Sequence, residues 1–277
     1  INFSENMSQF KPNIDYYNVD FLLSEEHKLI RSSIREFVKR EINPIIEKSA
    51  QDATFPSHLI SKLASAGCFG PYIPEEYGGS NFGITGISVI LEECAKTLTP
   101  SPLFATGVLG AFSITNFGND DQKQDYLPKI SSGDLTTGLA VDESSHHNPA
   151  DTEMVAKKEG KKFILNGKKT FVIDGASADL LIVLARTSGN KGESSGLTLF
   201  LIDSNDTGIE RIKLDMADSR NYANINFNNV EVSAKNILGD EETGGETVEN
   251  ILDIGRIAIA SEMLGNAEAA FETTLDY

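Results

Sequence analysis

The stretch FILNGKKTFVI, residues 163–173, decides the fold because two apolar runs flank the dipeptide Asn166-Gly167. An Asn-Gly pair in this setting predicts a β-hairpin, since a type I′ turn requires positive φ at both central residues. Similar short runs, rich in Val, Ile, Leu and Phe, recur from Leu135 to about Val232 with turn formers between them. Several short strands at regular spacing predict an antiparallel sandwich or barrel of about 100 residues.

Helical periodicity occupies the sequence on both sides of this β region. Before it, Ser24 is a predicted N-cap, and apolar residues from Leu29 onward repeat at helical spacing until Pro44 ends or bends the helix. Further helices are predicted near residues 55–67, 84–96, 103–117 and 120–131. After Gly239 one long helix is apolar over most of its surface, so we expect it to be covered on nearly all sides.

The predicted fold class is α+β. An all-α N-terminal domain over residues 1–134 precedes the β domain over residues 135–238, and residues 239–277 begin a C-terminal helical bundle. A length of 277 residues suits two modest domains better than one. The sequence does not begin with Met and its helical pattern runs to Tyr277 without a cap, so we expect a processed or shortened chain.

Charge and composition exclude several classes of protein. The chain has 24 Lys plus Arg against 41 Asp plus Glu, and its net charge of −17 argues against binding to nucleic acid or to an anionic membrane. No apolar run approaches the roughly 20 residues of a membrane span, and no secretory signal is visible, so we expect a cytoplasmic protein, or a mitochondrial-matrix protein in a eukaryote. Cys68 and Cys94 lack metal-ligand spacing and are expected to be reduced, buried thiols.

The common nucleotide and nucleophile motifs are missing from the sequence, which contains no GxGxxG after a strand, no Walker loop and no Gly-x-Ser-x-Gly elbow. His146-His147 is the one candidate metal feature. Adjacent histidines in an extended chain point opposite ways, and no Cys or third His lies nearby. A solvated loop pair is therefore favoured, and no metal site is predicted.

Six short motifs occur along the chain in one order. They are LSEEHKLIR at 23–31, IPEEYGG at 73–79, YLPKISSG at 126–133, FILNGKKTFVI at 163–173, Ala178-Asp179, and FNNVEV at 227–232. In this order they resemble the N-terminal and middle domains of the acyl-CoA dehydrogenase family, followed by the first helix of its C-terminal domain.

The resemblance implies an FAD-dependent oxidoreductase that converts an acyl-CoA thioester to the 2-enoyl-CoA. In that family a carboxylate removes the α proton while the β hydrogen leaves as hydride to flavin N5. The resemblance also implies an electron-transferring flavoprotein as acceptor and assembly into a homo- or hetero-oligomeric dimer or tetramer.

Individual residues follow from matching positions in the motifs. By resemblance, six residues are expected to contact FAD: Leu139, Val141, Asp142, Asn148, Phe171 and Ile173. Asp253 and Arg256 match positions that contact the CoA pantetheine. Simpler interpretations stay open. Leu139, Val141 and Phe171 could pack a β core whether or not a flavin lies on them. Asp253 and Arg256 could form an exposed ion pair on one helix. Glu143 could be a solvated loop carboxylate or could anchor the strand end through backbone N–H groups, and its matching position in the family favours the structural role.

Departures from the family pattern leave the function partly open. Where the family has the pattern (T/L)EP.(A/G)GSD, this sequence has VDESSHHNP at 141–149, and only Glu143 is kept. Ile173 stands where the family usually has a residue with a hydroxyl. Gly255 occupies the position at which some relatives carry the catalytic Glu, so the base is expected in a C-terminal segment outside this chain, and no catalytic residue can be named. Two alternatives remain: a non-catalytic partner subunit that completes a neighbour's FAD or CoA site, and an oxidase or monooxygenase of the same fold.

Overall fold

The structure, a computed structural model, describes residues 20–46, 57–218 and 220–277. Helix α1 (Glu25–Phe37) begins as predicted at Ser24, whose Oγ accepts the His27 N–H at 3.3 Å. The chain continues through a π-helical turn, Val38–Ile42, and residues 43–46 are again α-helical. Pro44 therefore does not end the helix. In the π-helical turn just before Pro44, N–H groups bond to carbonyls five residues back instead of four. The helix can therefore continue through a residue that has no N–H to donate.

Within the described N-terminal residues, four further α-helices follow: α2 (Leu59–Ser65), α3 (Gly83–Ala95), α4 (Ala111–Phe117) and α5 (Asp120–Ser132). A π-helical segment, Leu103–Gly110, runs directly into α4 and is buried throughout. The predicted start of a helix at residues 55–56 lies outside the described residues. Cys68 and Cys94 are buried and unpaired, as expected, and burial raises the pKa of the Cys68 thiol to about 12.

The described residues form one eight-stranded sheet, with β1 (Thr137–Ala140), β2 (Val155–Glu159), β3 (Lys162–Val172), β4 (Leu180–Arg186), β5 (Leu197–Asp203), β6 (Ile209–Lys213), β7 (Ala223–Ser233) and β8 (Ile237–Leu238). The order is β6-β7-β3-β2-β4-β5-β8, and β1 pairs with β4. Pairing is antiparallel except that β1 and β2 each run parallel to β4. The α+β fold class is confirmed, with these two parallel pairings as an addition.

The hairpin predicted at Asn166-Gly167 is wrong. Strand β3 runs straight through both residues, and the β2–β3 hairpin closes instead where Glu159 pairs with Lys162. A shift in the β3–β7 register between Leu165 and Gly167 marks an irregularity at this point. Gly167 has φ 151°, and an added Cβ would lie 2.7 Å from Met154 Cγ. Glycine is required here for a bulge and a close approach rather than for a turn.

Strand β4 separates two hydrophobic cores. Leu180 and Ile182 pack with the helical domain, whereas Leu181 and Val183 point into a second core inside the β domain. In that second core the rings of Phe163 (β3) and Phe200 (β5) meet edge to face with centroids 5.1 Å apart. Strands distant in the sheet order therefore face each other, so the sheet folds over itself.

Helix α6 (Gly244–Asp276) lies against α3 and the π-helical segment. Its buried face contains Val248, Ile251 and Ala258, while Met263 and Leu264 are 64% and 55% exposed. The expectation of nearly complete cover is therefore not met within the described residues, because only one face of the helix meets other elements. No helix among the described residues is long and apolar enough to cross a membrane.

Candidate functional site

The ends of β1 and β3 meet at one junction. The Thr170 N–H donates to the Asp142 carbonyl at 2.8 Å, and Lys169 Nζ donates to the Val141 carbonyl at 2.8 Å. Leu139 and Val141 pack against the core shared with the helical domain. The junction therefore places Asp142 and the neighbouring Phe171 at the boundary between the β domain and the helices.

Phe171 is an exposed aromatic in a strained backbone conformation. Its side chain is 49% exposed, and its φ is 50°, in the left-handed region that non-glycine residues rarely adopt. Its N–H donates to Asn224 Oδ1 at 3.2 Å, which ties this irregular end of β3 to β7. Strain of this kind, of order 1–3 kcal/mol, persists where surrounding structure imposes it and is frequent at functional sites.

Ile173 is the first residue after β3 and belongs to the same junction. It is half-buried against the core shared with the helical domain. A Cβ on Gly138 of β1 would lie 3.4 Å from the Ile173 carbonyl, so the two chain segments approach closely. Because isoleucine has no hydroxyl, only backbone groups can donate a hydrogen bond to a ligand at this position.

Glu143 anchors the segment that follows β1, as predicted. Its two oxygens accept the backbone N–H groups of Glu153 and Met154 at 2.8 and 3.0 Å. Glu143 Oε1 also pairs with the buried Lys169 Nζ at 2.8 Å. One carboxylate therefore ties together the segments that precede β2, follow β1 and form β3.

Asn148 lies apart from the junction, exposed at the start of a 3-10 turn, Pro149–Asp151. Arg186 holds that turn from below. Its guanidinium is buried and donates to five backbone carbonyls at 2.9 to 3.3 Å, those of Ala150, Thr152, Ser188, Glu193 and Ser195. The position of Asn148 is therefore fixed by the neighbouring 187–196 loop as well as by its own turn.

Asp142 and His147 form a pair within the segment that departs from the family pattern. His147 Nδ1 lies 2.9 and 2.8 Å from the two Asp142 carboxylate oxygens. His146 bonds locally to Ser144: its backbone N–H lies 3.2 Å from Ser144 Oγ, and its carbonyl accepts from that hydroxyl at 3.2 Å. In the described parts of the chain, no group of three or more His, Cys, Asp or Glu side chains has the arrangement of a metal site.

The predicted substrate residues lie on α6, and their polar contacts stay on that helix. Arg256 donates to Asp253, and its Nη2 lies 3.4 Å from Glu249 Oε2. Both Asp253 and Arg256 are exposed. Gly255 is buried, and a Cβ on it would lie 3.1 Å from Leu109 Cδ2, so this position is filled by neighbouring side chains.

A buried carboxylate that the sequence did not reveal lies directly after Ile173. Asp174 is 1% exposed, and neither of its oxygens has a hydrogen-bond partner of normal geometry. Burial raises its pKa to about 7, against the opposing effect of the nearby Arg220 guanidinium. Arg220 in turn pairs with Glu262 of α6 at 3.1 Å, so this group of charges lies between the β domain and α6.

Two family descriptions match the chain in series. "Acyl-CoA dehydrogenase, N-terminal domain" matches residues 24–134, and "Acyl-CoA dehydrogenase, middle domain" matches residues 141–230. An acyl-CoA dehydrogenase of Bacillus subtilis is 32% identical over 267 residues, which cover 92% of this chain and 69% of the relative.

Solved structures give the same result. Butyryl-CoA dehydrogenase from Megasphaera elsdenii superposes with a TM-score of 0.86 at 29% identity, covering 92% of this chain and 69% of that one. A glutaryl-CoA dehydrogenase from Mycobacterium smegmatis in complex with FADH2 has a TM-score of 0.86 at 25% identity, covering 95% of this chain and 67% of that one. The chain belongs to the acyl-CoA dehydrogenase family, which makes it an oxidoreductase and confirms the resemblance carried by the six motifs.

Proposed function

We propose that this chain binds FAD at the junction of β1 and β3 and takes part in the α,β-dehydrogenation of an acyl-CoA thioester to the 2-enoyl-CoA. The observation that carries the proposal is the convergence of five predicted cofactor residues on that junction. Leu139, Val141 and Asp142 lie at the end of β1, Phe171 and Ile173 lie at the end of β3, and the Thr170–Asp142 hydrogen bond joins the two ends. Membership in a family of flavoproteins supports the same cofactor.

The residues at the junction fit a planar aromatic cofactor. The half-exposed Phe171 ring offers a face for stacking, and Leu139, Val141 and Ile173 supply an apolar wall that excludes water. Backbone groups near Asp142 supply hydrogen bonds, since Ile173 offers no hydroxyl. When bound, FAD would accept the hydride from the substrate β carbon. The chain's own contribution is to orient the ring and keep its surroundings dry, where hydrogen bonds are stronger.

On the substrate side, Arg256 and Asp253 are placed to contact CoA from the exposed surface of α6. The Arg256 guanidinium is held by Asp253 and Glu249, so an incoming ligand would exchange those contacts for its own. Asn148, exposed beside the 3-10 turn, remains a candidate for contact with flavin phosphate or pantetheine. Gly255 supplies no base, which agrees with a carboxylate from outside these 277 residues.

We infer an electron-transferring flavoprotein as the partner that reoxidises the flavin, and an oligomer as the working form. The apolar residues exposed on α6, among them Met263 and Leu264, support additional packing against that helix. The partner-subunit alternative is not favoured by the comparisons, because the named relatives are themselves dehydrogenases.

A visible absorption spectrum tests the proposal directly. The purified full chain is examined anaerobically before and after addition of acyl-CoAs of several chain lengths. Because Gly255 supplies no base, we expect weak flavin binding and no turnover from these 277 residues alone. Together with a segment that supplies the carboxylate base, we expect a flavin band that one acyl-CoA bleaches and turnover without a second kind of subunit. A protein that never retains flavin would refute the proposal. Faster reoxidation by oxygen than by an electron-transferring flavoprotein would favour an oxidase instead.

A further inference from the structure

Lys169 is a buried lysine on β3, directly beneath the candidate flavin site. Its side chain is fully buried, and its register partner on the neighbouring strand β7 is Ile225. Its ammonium donates to the Val141 carbonyl and to Glu143 Oε1, each at 2.8 Å. A buried ammonium is unfavourable unless it is paired and hydrogen-bonded. Here both partners of the Lys169 ammonium come from the segment that follows β1.

The contact with Val141 acts on the peptide group that joins Val141 to Asp142. In a trans peptide the C=O and N–H point in opposite directions. An ammonium on the Val141 carbonyl polarises that peptide and makes the Asp142 N–H, which points away from Lys169, a stronger donor. The carbonyl of Asp142 is held by the Thr170 N–H at 2.8 Å, so both sides of Asp142 are fixed by β3.

The contact with Glu143 neutralises the carboxylate that anchors the start of β2. Without the ammonium, Glu143 would remain as a charge with 15% exposure beside the site. Its bonds to the Glu153 and Met154 amides would then be its only partners in this group. The charge on Lys169 therefore sets both the position and the electrostatics of residues 141–143.

We propose that Lys169 is a positioning residue for flavin: its positive charge orders the Val141–Asp142 peptide and strengthens the Asp142 amide as a donor to a carbonyl oxygen or ring nitrogen of the bound ring. This inference rests on the proposed flavin site. It adds a requirement that the site alone does not make, namely that flavin affinity depends on the protonation of a residue that does not touch flavin.

The charge on Lys169 changes at an accessible pH. Burial lowers its pKa to about 8, while the carboxylates of Glu143 and Asp142, both from the segment after β1, oppose that change. Asp142 is itself paired with His147. If tight binding needs the charged form, the protonated fraction at pH 9.5 is about 3%, and the apparent Kd for FAD rises by up to about thirty-fold.

The test is the Kd of the full chain for FAD, measured by fluorescence quenching from pH 6.5 to 9.5. Wild type should lose affinity above pH 8. Lys169→Met should bind weakly at every pH and lose the pH step, while Lys169→Arg, which stays charged, should bind tightly to pH 9.5. Lys168→Met, an exposed neighbour on the same strand, is the control and should follow wild type.

The outcomes separate the two proposals. Failure of wild type to bind FAD at any pH would refute the flavin site, and the role of Lys169 with it. FAD binding by wild type together with an unchanged affinity and pH profile in Lys169→Met would refute the role of Lys169 alone. If Lys169→Met does not fold, as judged by circular dichroism and Tm, Lys169→Arg decides, because a loss of affinity above pH 8 identical to that of wild type would overturn the inference.

Discussion

The backbone N–H of Thr170 donates to the carbonyl of Asp142 at 2.8 Å, and this bond joins the ends of two strands that are not neighbours in the main order of the sheet. It brings Phe171 beside Val141 and Asp142, which are far apart in the sequence. A site built in this way depends on both strand ends, so a change at either one should alter ligand binding more than stability.

Phe171→Gly should separate stability from binding. Glycine adopts positive φ without the steric cost that phenylalanine bears at φ 50°, and the lost ring is half exposed. We therefore expect an unchanged or higher Tm. The affinity for FAD should fall by about tenfold through loss of an aromatic stacking partner. Differential scanning calorimetry and fluorescence titration with FAD measure the two effects.

Leu98→Gly is the matched control for that variant. Leu98 has φ 51° and is 74% exposed, so it shares the strain and the exposure of Phe171 but lies outside the candidate site. Its substitution should likewise leave Tm unchanged or higher, without affecting FAD binding. Equal losses of FAD affinity in both variants would show that Phe171 has no special role.

Much of the fold follows from local sequence patterns. Ser24 begins α1 as its cap chemistry predicts, and the long helix follows Gly239 as its apolar spacing predicts. These features depend on residues close together in the chain or on a repeating spacing. They are therefore decided by local sterics and hydrogen bonding, which a sequence displays directly.

Other features depend on what the chain packs against. Asn166-Gly167 has the composition of a turn, but Gly167 serves a close approach to Met154, which only the tertiary structure shows. Lys169 was missed although alternation along β3 places it on the same inward side as Phe163 and Leu165, because a lysine suggests a solvent-facing position. The burial of Lys169 is explained by its ion pair with Glu143, which only the tertiary structure shows.

Arg186→Lys should loosen two loops together. Lysine cannot replace the five donors that the buried Arg186 directs at backbone carbonyls, so several of these carbonyls, among them that of the buried Thr152, would lose a partner. We expect a loss of roughly 2–4 kcal/mol in the free energy of unfolding. Hydrogen exchange should accelerate in residues 148–153 and 187–196. Arg40→Lys, at a side chain 70% exposed, should leave both quantities unchanged.

Gly265→Ala should destabilise a helix that alanine ordinarily stabilises. In a helix interior, replacing glycine by alanine gains about 1 kcal/mol. Here an added Cβ would clash with the backbone carbonyl of Glu92 on α3, so α6 would have to move away. Chemical denaturation should therefore show a lower free energy of unfolding. Gly255→Ala offers a comparison, because its Cβ would meet only side-chain ends, Leu109 Cδ2 at 3.1 Å and Phe104 Cζ at 3.6 Å, and no backbone atom.

Asp174→Asn should stabilise the protein in a pH-dependent way. The buried carboxyl has a pKa of about 7, above its ordinary value of 3.8, so the folded state holds this proton more tightly than the unfolded state does. The stability that the bound proton contributes is complete below about pH 4 and is lost as pH rises through 7. Asparagine is always neutral and tolerates the positive φ of 57° at this position. Urea unfolding should therefore show a gain on the order of a few kcal/mol at pH 8 and little gain at pH 4.5. Asp215→Asn, at an exposed position, should show no such difference, and an equal gain at both pH values in Asp174→Asn would contradict a buried, titrating carboxyl.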